Sequence, residues 1–252
     1  MEIARTSVDY LQRVASWTSD LVFPPRCIGC QRFATSAVHR YLCKRCQRSI
    51  PVRTSSECIG CKVPSSLGEP CPDCRPNFYI DHLLISAHFT HPLLRKTIEM
   101  FKYRFITDLN QSLVRLLCTH VGFLQKKRSF NVFQNNPLVM AVPLHPYRQN
   151  WRGFNQSELL ARSFANTFQM QSSDVGLIRT RKTAPQAHTD DKQQRAVNVA
   201  GIFFCPNPSV VAGRDIILID DVCTSGATLN ECARILKTAG GAKVTALVVA
   251  RG

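Results

Sequence analysis

Long apolar stretches are missing from this 252-residue chain. A membrane-spanning helix needs about 18 or more consecutive apolar residues, so no span is expected. Acidic residues are scarce, with 17 Asp and Glu against 32 Lys and Arg, and the formal charge is +15. That imbalance points to an anionic partner: nucleic acid, a phosphorylated metabolite or an acidic membrane surface. No secretion signal is expected either, because the first twenty residues carry Glu2, Asp9 and Asp20 and hold no unbroken apolar run. Without such a signal, the 12 cysteines read as metal ligands and core residues of a reducing compartment rather than as a disulfide framework. A cytoplasmic protein is expected. Apolar residues make up 44% of the chain, enough for a sizeable core.

Three segments follow from composition. In residues 1–22, Val8, Leu11 and Ala15 recur at helical spacing and predict a short amphipathic helix. Residues 23–80 are rich in Cys, Pro, Arg and Gly and have too little apolar periodicity to make a core alone. From 81 to 252 the apolar pattern is strong and alternates between two periods. Strands are predicted at Leu83–Phe89, Leu138–Val142, Val175–Arg179, Ile216–Ile219 and Val244–Val249. Helices are predicted at Pro92–Phe101, Leu109–Leu124 and from Asn155, with Glu158 as the capping partner of Asn155. Another helix carries Leu229, Cys232, Ala233 and Leu236, favoured at its end by Lys237 and stopped by Gly240-Gly241. Strands alternating with helices predict an α/β domain, a mostly parallel sheet covered on both faces.

The run Ile216-Ile217-Leu218-Ile219-Asp220-Asp221-Val222-Cys223-Thr224-Ser225-Gly226-Ala227-Thr228 carries the sharpest chemistry. A buried strand ends in two carboxylates at its carboxyl edge, where open α/β sheets bind ligands. The turn after it offers the hydroxyls of Thr224, Ser225 and Thr228 and the backbone N–H groups around Gly226 and Ala227. It then feeds a helix N-terminus, which favours a phosphate dianion. Two carboxylates beside a phosphate cradle would repel a lone phosphate. They fit sugar hydroxyls instead, with Mg²⁺ offsetting charge, so the ligand implied is a ribose 5-phosphate. Capping residues on an ordinary strand-turn-helix are the plain alternative.

Four C-x-x-C pairs occur, Cys27/Cys30, Cys43/Cys46, Cys58/Cys61 and Cys71/Cys74. Two such pairs complete a tetrahedral set of four thiolates. Regular succession favours one structural zinc on Cys27, Cys30, Cys43 and Cys46 and a second on Cys58, Cys61, Cys71 and Cys74. Interleaved pairing, redox pairs and an iron–sulfur cluster stay open at this point. Two such sites would lower the charge from +15 to about +11, which is still basic. Arg26, Arg32, Arg40, Lys44, Arg45, Arg48 and Lys62 stud this module beside Phe33 and Tyr41. That mixture suits a single-stranded nucleic acid platform, with scattered solubilising charge as the alternative. Cys118 and Cys232 read as core residues, and Cys223 has no base beside it.

The phosphate motif resembles that of type I phosphoribosyltransferases, and residues 20–252 together resemble the ComF/GntX family, which joins an N-terminal double zinc ribbon to a phosphoribosyltransferase-like domain. Besides the cysteines and the motif, Phe101-Lys102-Tyr103, Val142-Pro143-Leu144-His145, Arg152-Gly153-Phe154-Asn155-Gln156 and residues 181–198 carry the resemblance. It implies that Asp220 and Asp221 hold ribose hydroxyls and Mg²⁺, and that Thr224 to Thr228 hold the 5-phosphate. It further implies that the loop bearing His145, Arg148 and Arg152, with Lys102, holds the pyrophosphate of phosphoribosyl pyrophosphate. Arg181, Lys182, Gln186 and Arg195 match the flexible loop that closes over substrate.

The family's association with uptake of transforming DNA favours a protein that binds phosphoribosyl pyrophosphate or a nucleotide together with single-stranded DNA, in company with other uptake proteins. A Mg²⁺-dependent phosphoribosyltransferase with an unassigned acceptor is the alternative, and the catalytic residue is open. Thr224 stands where hypoxanthine-type enzymes have an acid, which counts against their chemistry here.

Overall fold

The computed structural model describes residues 24–34, 39–104, 106–126, 131–180 and 201–252, apart from the side chains of Arg148 and Arg152. The helix predicted over 1–22 lies outside these residues. The chain divides into two compact units, Met1–Ser49 and Ile50–Gly252. The first holds one cysteine set. The second cysteine set lies in the same unit as the main sheet.

In the first unit the chain turns at Cys27–Cys30, where the Gln31 N–H bonds the Cys27 carbonyl at 2.8 Å and Arg26 bridges Phe33. A short helix α1, Lys44–Arg48, starts at Cys43, whose sulfur accepts the Cys46 N–H. Sulfur replaces the usual oxygen of a helix cap here.

The second unit opens with a small antiparallel ribbon, β1 (Ser56–Glu57) on β2 (Pro64–Ser65). A 3-10 turn at Arg75–Asn77 leads to the first long strand, β3 (His82–His88). Helices α2 (Pro92–Tyr103) and α3 (Leu109–Lys126) follow. Then come β4 (Leu138–Ala141), α4 (Pro146–Arg152), α5 (Gln156–Thr167) and β5 (Ser172–Ser173). A separate antiparallel ribbon joins β6 (Ile178–Arg179) to β7 (Phe203–Phe204). The chain closes with β8 (Ile216–Cys223), α6 (Ala227–Thr238) and β9 (Val244–Arg251).

The main sheet has the order β3-β9-β8-β4-β5 with every pairing parallel. Alternate strand residues point to opposite faces. Leu83, Ile85, Leu138, Met140, Ile216, Leu218, Val244, Ala246 and Val248 pack with Leu229, Cys232, Ala233 and Leu236 of α6 as one buried cluster. The residues between them, including Leu84, Val139, Ile217, Ile219, Leu247 and Val249, are equally buried on the other face, which α3 and α5 cover. The expected parallel sheet with helices on both faces is therefore the observed one.

Several boundaries differ from expectation. The strand predicted to stop at Ile219 continues to Cys223, because β9 pairs with it as far as Cys223↔Arg251. The strand predicted at Val175–Arg179 shrinks to Ile178–Arg179 and leaves the main sheet for the β6–β7 ribbon. The fifth strand is instead Ser172–Ser173, two polar residues with no apolar run to announce them. Asn155 caps α5 by accepting the Ser157 N–H at 3.1 Å, but Glu158 turns to Arg162 at 2.6 Å rather than back to the cap.

Candidate functional site

The topology places both predicted anion segments after neighbouring strands, β4 and β8. From β4 the chain crosses through α5 to β5 on one side, and from β8 it crosses through α6 to β9 on the other. The segments leaving β4 and β8 thus diverge between neighbouring strands. Ligands of open α/β sheets bind at such a switch point, outside the carboxyl ends of the strands.

The acidic pair sits at that edge. Asp220 Oδ1 accepts the Ser157 hydroxyl at 2.7 Å and the Asp221 N–H at 2.9 Å. Asp221 is buried and pairs with Lys102 Nζ at 2.9 Å. Burial pushes the Asp220 carboxyl up to about 7, and the charge of Asp221 adds to this, while Ser157 and Lys102 oppose it. Burial acts to lower Lys102, but the charge and hydrogen bond of Asp221 outweigh it and hold the ammonium above its ordinary value. The site therefore supplies its own counter-charge to two adjoining carboxyls.

Three elements position this centre. Lys102 comes from the last turn of α2, where the neighbouring Phe101 is fully buried and lies 5.8 Å from the ring of Phe154. Asn155 donates to the Val142 carbonyl at 3.2 Å, fixing the start of α5 to the end of β4. Ser157, one residue into that helix, then reaches Asp220. Sequence reading quoted Phe101, Lys102, Phe154 and Asn155 but did not assign Ser157 a role. A serine at the second position of a helix has no distinguishing pattern.

The turn expected to hold the 5-phosphate runs from β8 into α6. Thr224 is exposed, while Ser225 and Thr228 are half-buried. Ser225 Oγ accepts the Ala227 N–H at 3.4 Å, and Gly226 stands at the start of α6 with φ 82. Only glycine adopts that backbone readily. An added Cβ there would also lie 2.6 Å from Ile59 Cγ1, so the position is closed to side chains on two grounds.

The loop expected to hold pyrophosphate contains a short helix, α4, that sequence reading missed. His145 caps it, its Nδ1 accepting the Tyr147 N–H at 3.1 Å. That use of Nδ1 was not foreseen when His145 was assigned to phosphate. Tyr147 and Trp151 on α4 are 59% and 61% exposed, a large amount for aromatic side chains. Arg148 and Arg152 lie on α4, and Arg181, Lys182, Gln186 and Arg195, expected to close over substrate, lie outside the described residues. Lys102, expected near pyrophosphate, pairs with Asp221 in this structure.

The cysteines form two sets, Cys27/Cys30/Cys43/Cys46 and Cys58/Cys61/Cys71/Cys74, each with its sulfurs within 4.8 Å of one another. Pairing is sequential, not interleaved. Cys30 and Cys43 sulfurs stand 3.8 Å apart, and those of Cys61 and Cys71 stand 3.6 Å apart. A tetrahedron with metal–sulfur bonds of about 2.3 Å has edges of about 3.8 Å; a disulfide is only about 2 Å long. Backbone N–H groups point at the sulfurs, Cys43 to Cys27 and Cys71 to Cys58, each at 3.4 Å. Burial acts to raise both acceptor thiols, yet backbone N–H groups hold Cys27 and Cys58 down to about 6. These are closed thiolate sets with no position left for substrate, which suits structural zinc. Among the remaining cysteines, Cys232 and Cys223 are buried, and burial pushes the Cys223 thiol up to about 11.

A family model described as a double zinc ribbon domain matches residues 18–75, and one described as a phosphoribosyl transferase domain matches residues 154–252. The DNA utilization protein YhgH of Salmonella typhimurium is 30% identical over 225 residues, covering 89% of this chain and 96% of that protein. The chain belongs to the ComF/GntX family. Competence protein F of Haemophilus influenzae is 26% identical over 230 residues, covering 90% of this chain and 96% of its own length. Competence protein ComFC of Bacillus subtilis is 27% identical over 207 residues and 80% of each chain. Both halves of this ComF/GntX protein, zinc ribbons and phosphoribosyltransferase-like sheet, are thus accounted for. Among the described residues, no helix is long and apolar enough to cross a membrane.

Proposed function

We propose that this protein binds phosphoribosyl pyrophosphate or a nucleotide at the switch-point crevice, binds single-stranded DNA through its basic cysteine module, and acts in the uptake or use of DNA. One observation carries the reading: two adjoining carboxyls in the last half of β8, followed after Val222 and Cys223 by a hydroxyl-glycine turn and the N-terminus of α6. Asp220 and Asp221 accept the ribose hydroxyls, and Thr224, Ser225, Thr228 and the backbone of Gly226 and Ala227 take the 5-phosphate. The two carboxyls also suit the Mg²⁺ that accompanies a pyrophosphate, a cation that offsets phosphate charge. His145, Arg148 and Arg152 serve the pyrophosphate, and Arg181, Lys182, Gln186 and Arg195 close over it.

The DNA-handling part draws on the names of the relatives, a DNA utilization protein and two competence proteins, and on the cysteine module. There Arg26 stacks over Phe33 at 4.4 Å and Arg40 lies over Tyr41 at 5.8 Å. Guanidinium–aromatic pairs of this kind offer a charged, stackable face to unpaired bases. Phosphoribosyl transfer to an acceptor is a second reading, favoured by an acidic pair and phosphate turn that are both complete.

Calorimetric titration of the zinc-loaded protein with phosphoribosyl pyrophosphate and Mg²⁺, with and without single-stranded DNA, tests the proposal. Binding is expected in the wild type, altered by DNA, and lost in the Asp220→Asn/Asp221→Asn variant with the fold intact. Equal binding by that variant would refute the assignment of the site. Binding indifferent to DNA would shift the function to transfer onto an acceptor.

A further inference from the structure

The second zinc ribbon does more than follow the first in sequence: it lies against the phosphate turn. Ile59, inside the Cys58-x-x-Cys61 knuckle, is fully buried and sits so close to Gly226 that no side chain fits between them. The carbonyls of Cys58 and Ile59 both accept hydrogen bonds from the guanidinium of Arg251, the last residue of β9. Arg251 also pairs with Glu57 at 2.9 Å, and Glu57 pairs with Arg53 at 2.6 Å. Arg251 is in register with Cys223, the residue that enters the turn, and the Gly252 N–H bonds the Cys223 carbonyl at 3.0 Å. Lys62 in turn reaches the Gly252 carbonyl at 3.1 Å.

The ribbon's exit grips the helix that completes the cradle. Asn230 of α6 donates to the Asn77 carbonyl at 2.9 Å and accepts the Tyr79 N–H at 2.6 Å. Gly60 is packed so tightly against Cys74 and Phe78 that this face of the knuckle has no slack. The turn is therefore held from below by Ile59, at its entrance by Arg251, and at its helix by Asn230. The first contact is made by the Ile59 side chain, and the other two end on backbone at Cys58 and Ile59 and at Asn77 and Tyr79, within or just beyond one metal set.

We propose that the Cys58/Cys61/Cys71/Cys74 ribbon sets the geometry of the Thr224–Thr228 phosphate cradle, with Ile59, Arg251 and Asn230 as positioning residues. Zinc in that set is then a condition for phosphate binding, although it touches no ligand. The binding half of this inference rests on the proposed phosphoribosyl site; the coupling itself does not. A turn that offers backbone N–H groups to phosphate is useful only when those groups are held convergent before the ligand arrives. Linkage makes the effect mutual, so that ligand in the cradle also tightens the ribbon.

Two readouts on the full zinc-loaded chain test this: amide hydrogen exchange of residues 223–229, and calorimetric affinity for phosphoribosyl pyrophosphate with Mg²⁺. Ile59→Ala should keep two zincs by metal analysis, accelerate exchange at the turn, and weaken binding about 10-fold, within the range of ordinary site-to-site coupling. Ile59→Val should recover most of both. Asn230→Ala removes two hydrogen bonds without opening the core, and should shift both readouts in the same direction if Ile59→Ala fails to fold. Unchanged exchange and affinity in zinc-replete variants would overturn the proposal. Faster exchange in the variants combined with no binding by wild type would sustain the coupling and remove the ligand assignment instead.

Discussion

Replacing Lys102 by methionine should expose how the acidic pair is kept in a folded protein without ligand. The ammonium lies 2.9 Å from Asp221, with side chains 20% and 10% exposed. At an effective dielectric of about 20 the gross attraction is about 6 kcal/mol, much of which is cancelled by desolvating both ends. Removing one partner of a fully buried pair costs about 3–5 kcal/mol, because the other charge is left alone. Here the residual exposure screens part of that, so about 2–3 kcal/mol is expected at pH 8. For a unit of this size that is a fall in melting temperature of roughly 4–12 °C.

The loss should depend on pH in a defined direction. The Lys102 ammonium is held above its ordinary value, so its stabilising contribution is present throughout the range below that value and fades only in strong alkali. The Asp220 carboxyl, pushed up to about 7, takes a proton below neutrality and relieves the repulsion that Lys102 otherwise masks. Thermal melts of Lys102→Met at fixed zinc should accordingly show a smaller deficit at pH 5.5 than at pH 8. The double variant Lys102→Met/Asp221→Asn should regain most of the loss. Equal deficits at both pH values, or a double variant no better than the single, would refute the reasoning.

Ser157 and the metal sets give two further predictions. The Ser157 hydroxyl favours the charged form of Asp220, so Ser157→Ala should move the pH midpoint for phosphoribosyl pyrophosphate affinity upward, read by titrations at pH 6, 7 and 8. The sign for stability is opposite. A carboxyl raised in the folded state favours folding in acid, and that contribution is lost as pH rises through about 7. An unshifted midpoint in Ser157→Ala would show that the bond does not govern the titration. Metal analysis should find two zincs per chain, falling to one in Cys27→Ser/Cys30→Ser; a disulfide-reactive or single-metal chain would contradict the observed sulfur sets.

What could be read from the chain before its structure was the part written in contiguous residues. The strand-acid-turn-helix run from Ile216 to Thr228 and the four C-x-x-C pairs each bring their chemistry within a few positions, so local spacing was enough. Apolar periodicity likewise located β3, β4, β9 and the long helices. It failed at Ser172–Ser173, where a strand two residues long is defined only by its neighbour β4. It stopped β8 too early because Asp220 and Asp221 look like the end of a buried strand, while pairing with β9 carries the ladder through them. The helix α4 was hidden because Pro146 and two aromatics read as loop, and its cap is a histidine rather than the common Ser, Thr, Asp or Asn.

The residues that support the site were illegible for a different reason: their partners are distant. Arg251 and Cys58 are separated by 193 positions, and Asn230 and Asn77 by 153. Arg251 is also a costly choice. Two buried guanidinium groups, Arg53 and Arg251, share the half-buried carboxylate of Glu57, an arrangement that apolar residues of similar volume can often match or exceed in stability. An apolar side chain at 251 could not, however, donate to the carbonyls of Cys58 and Ile59. The charged end of β9 fixes one register between the ribbon and the strand that enters the phosphate turn. Stability alone does not account for such a residue; holding two chemically unrelated sites in one geometry does.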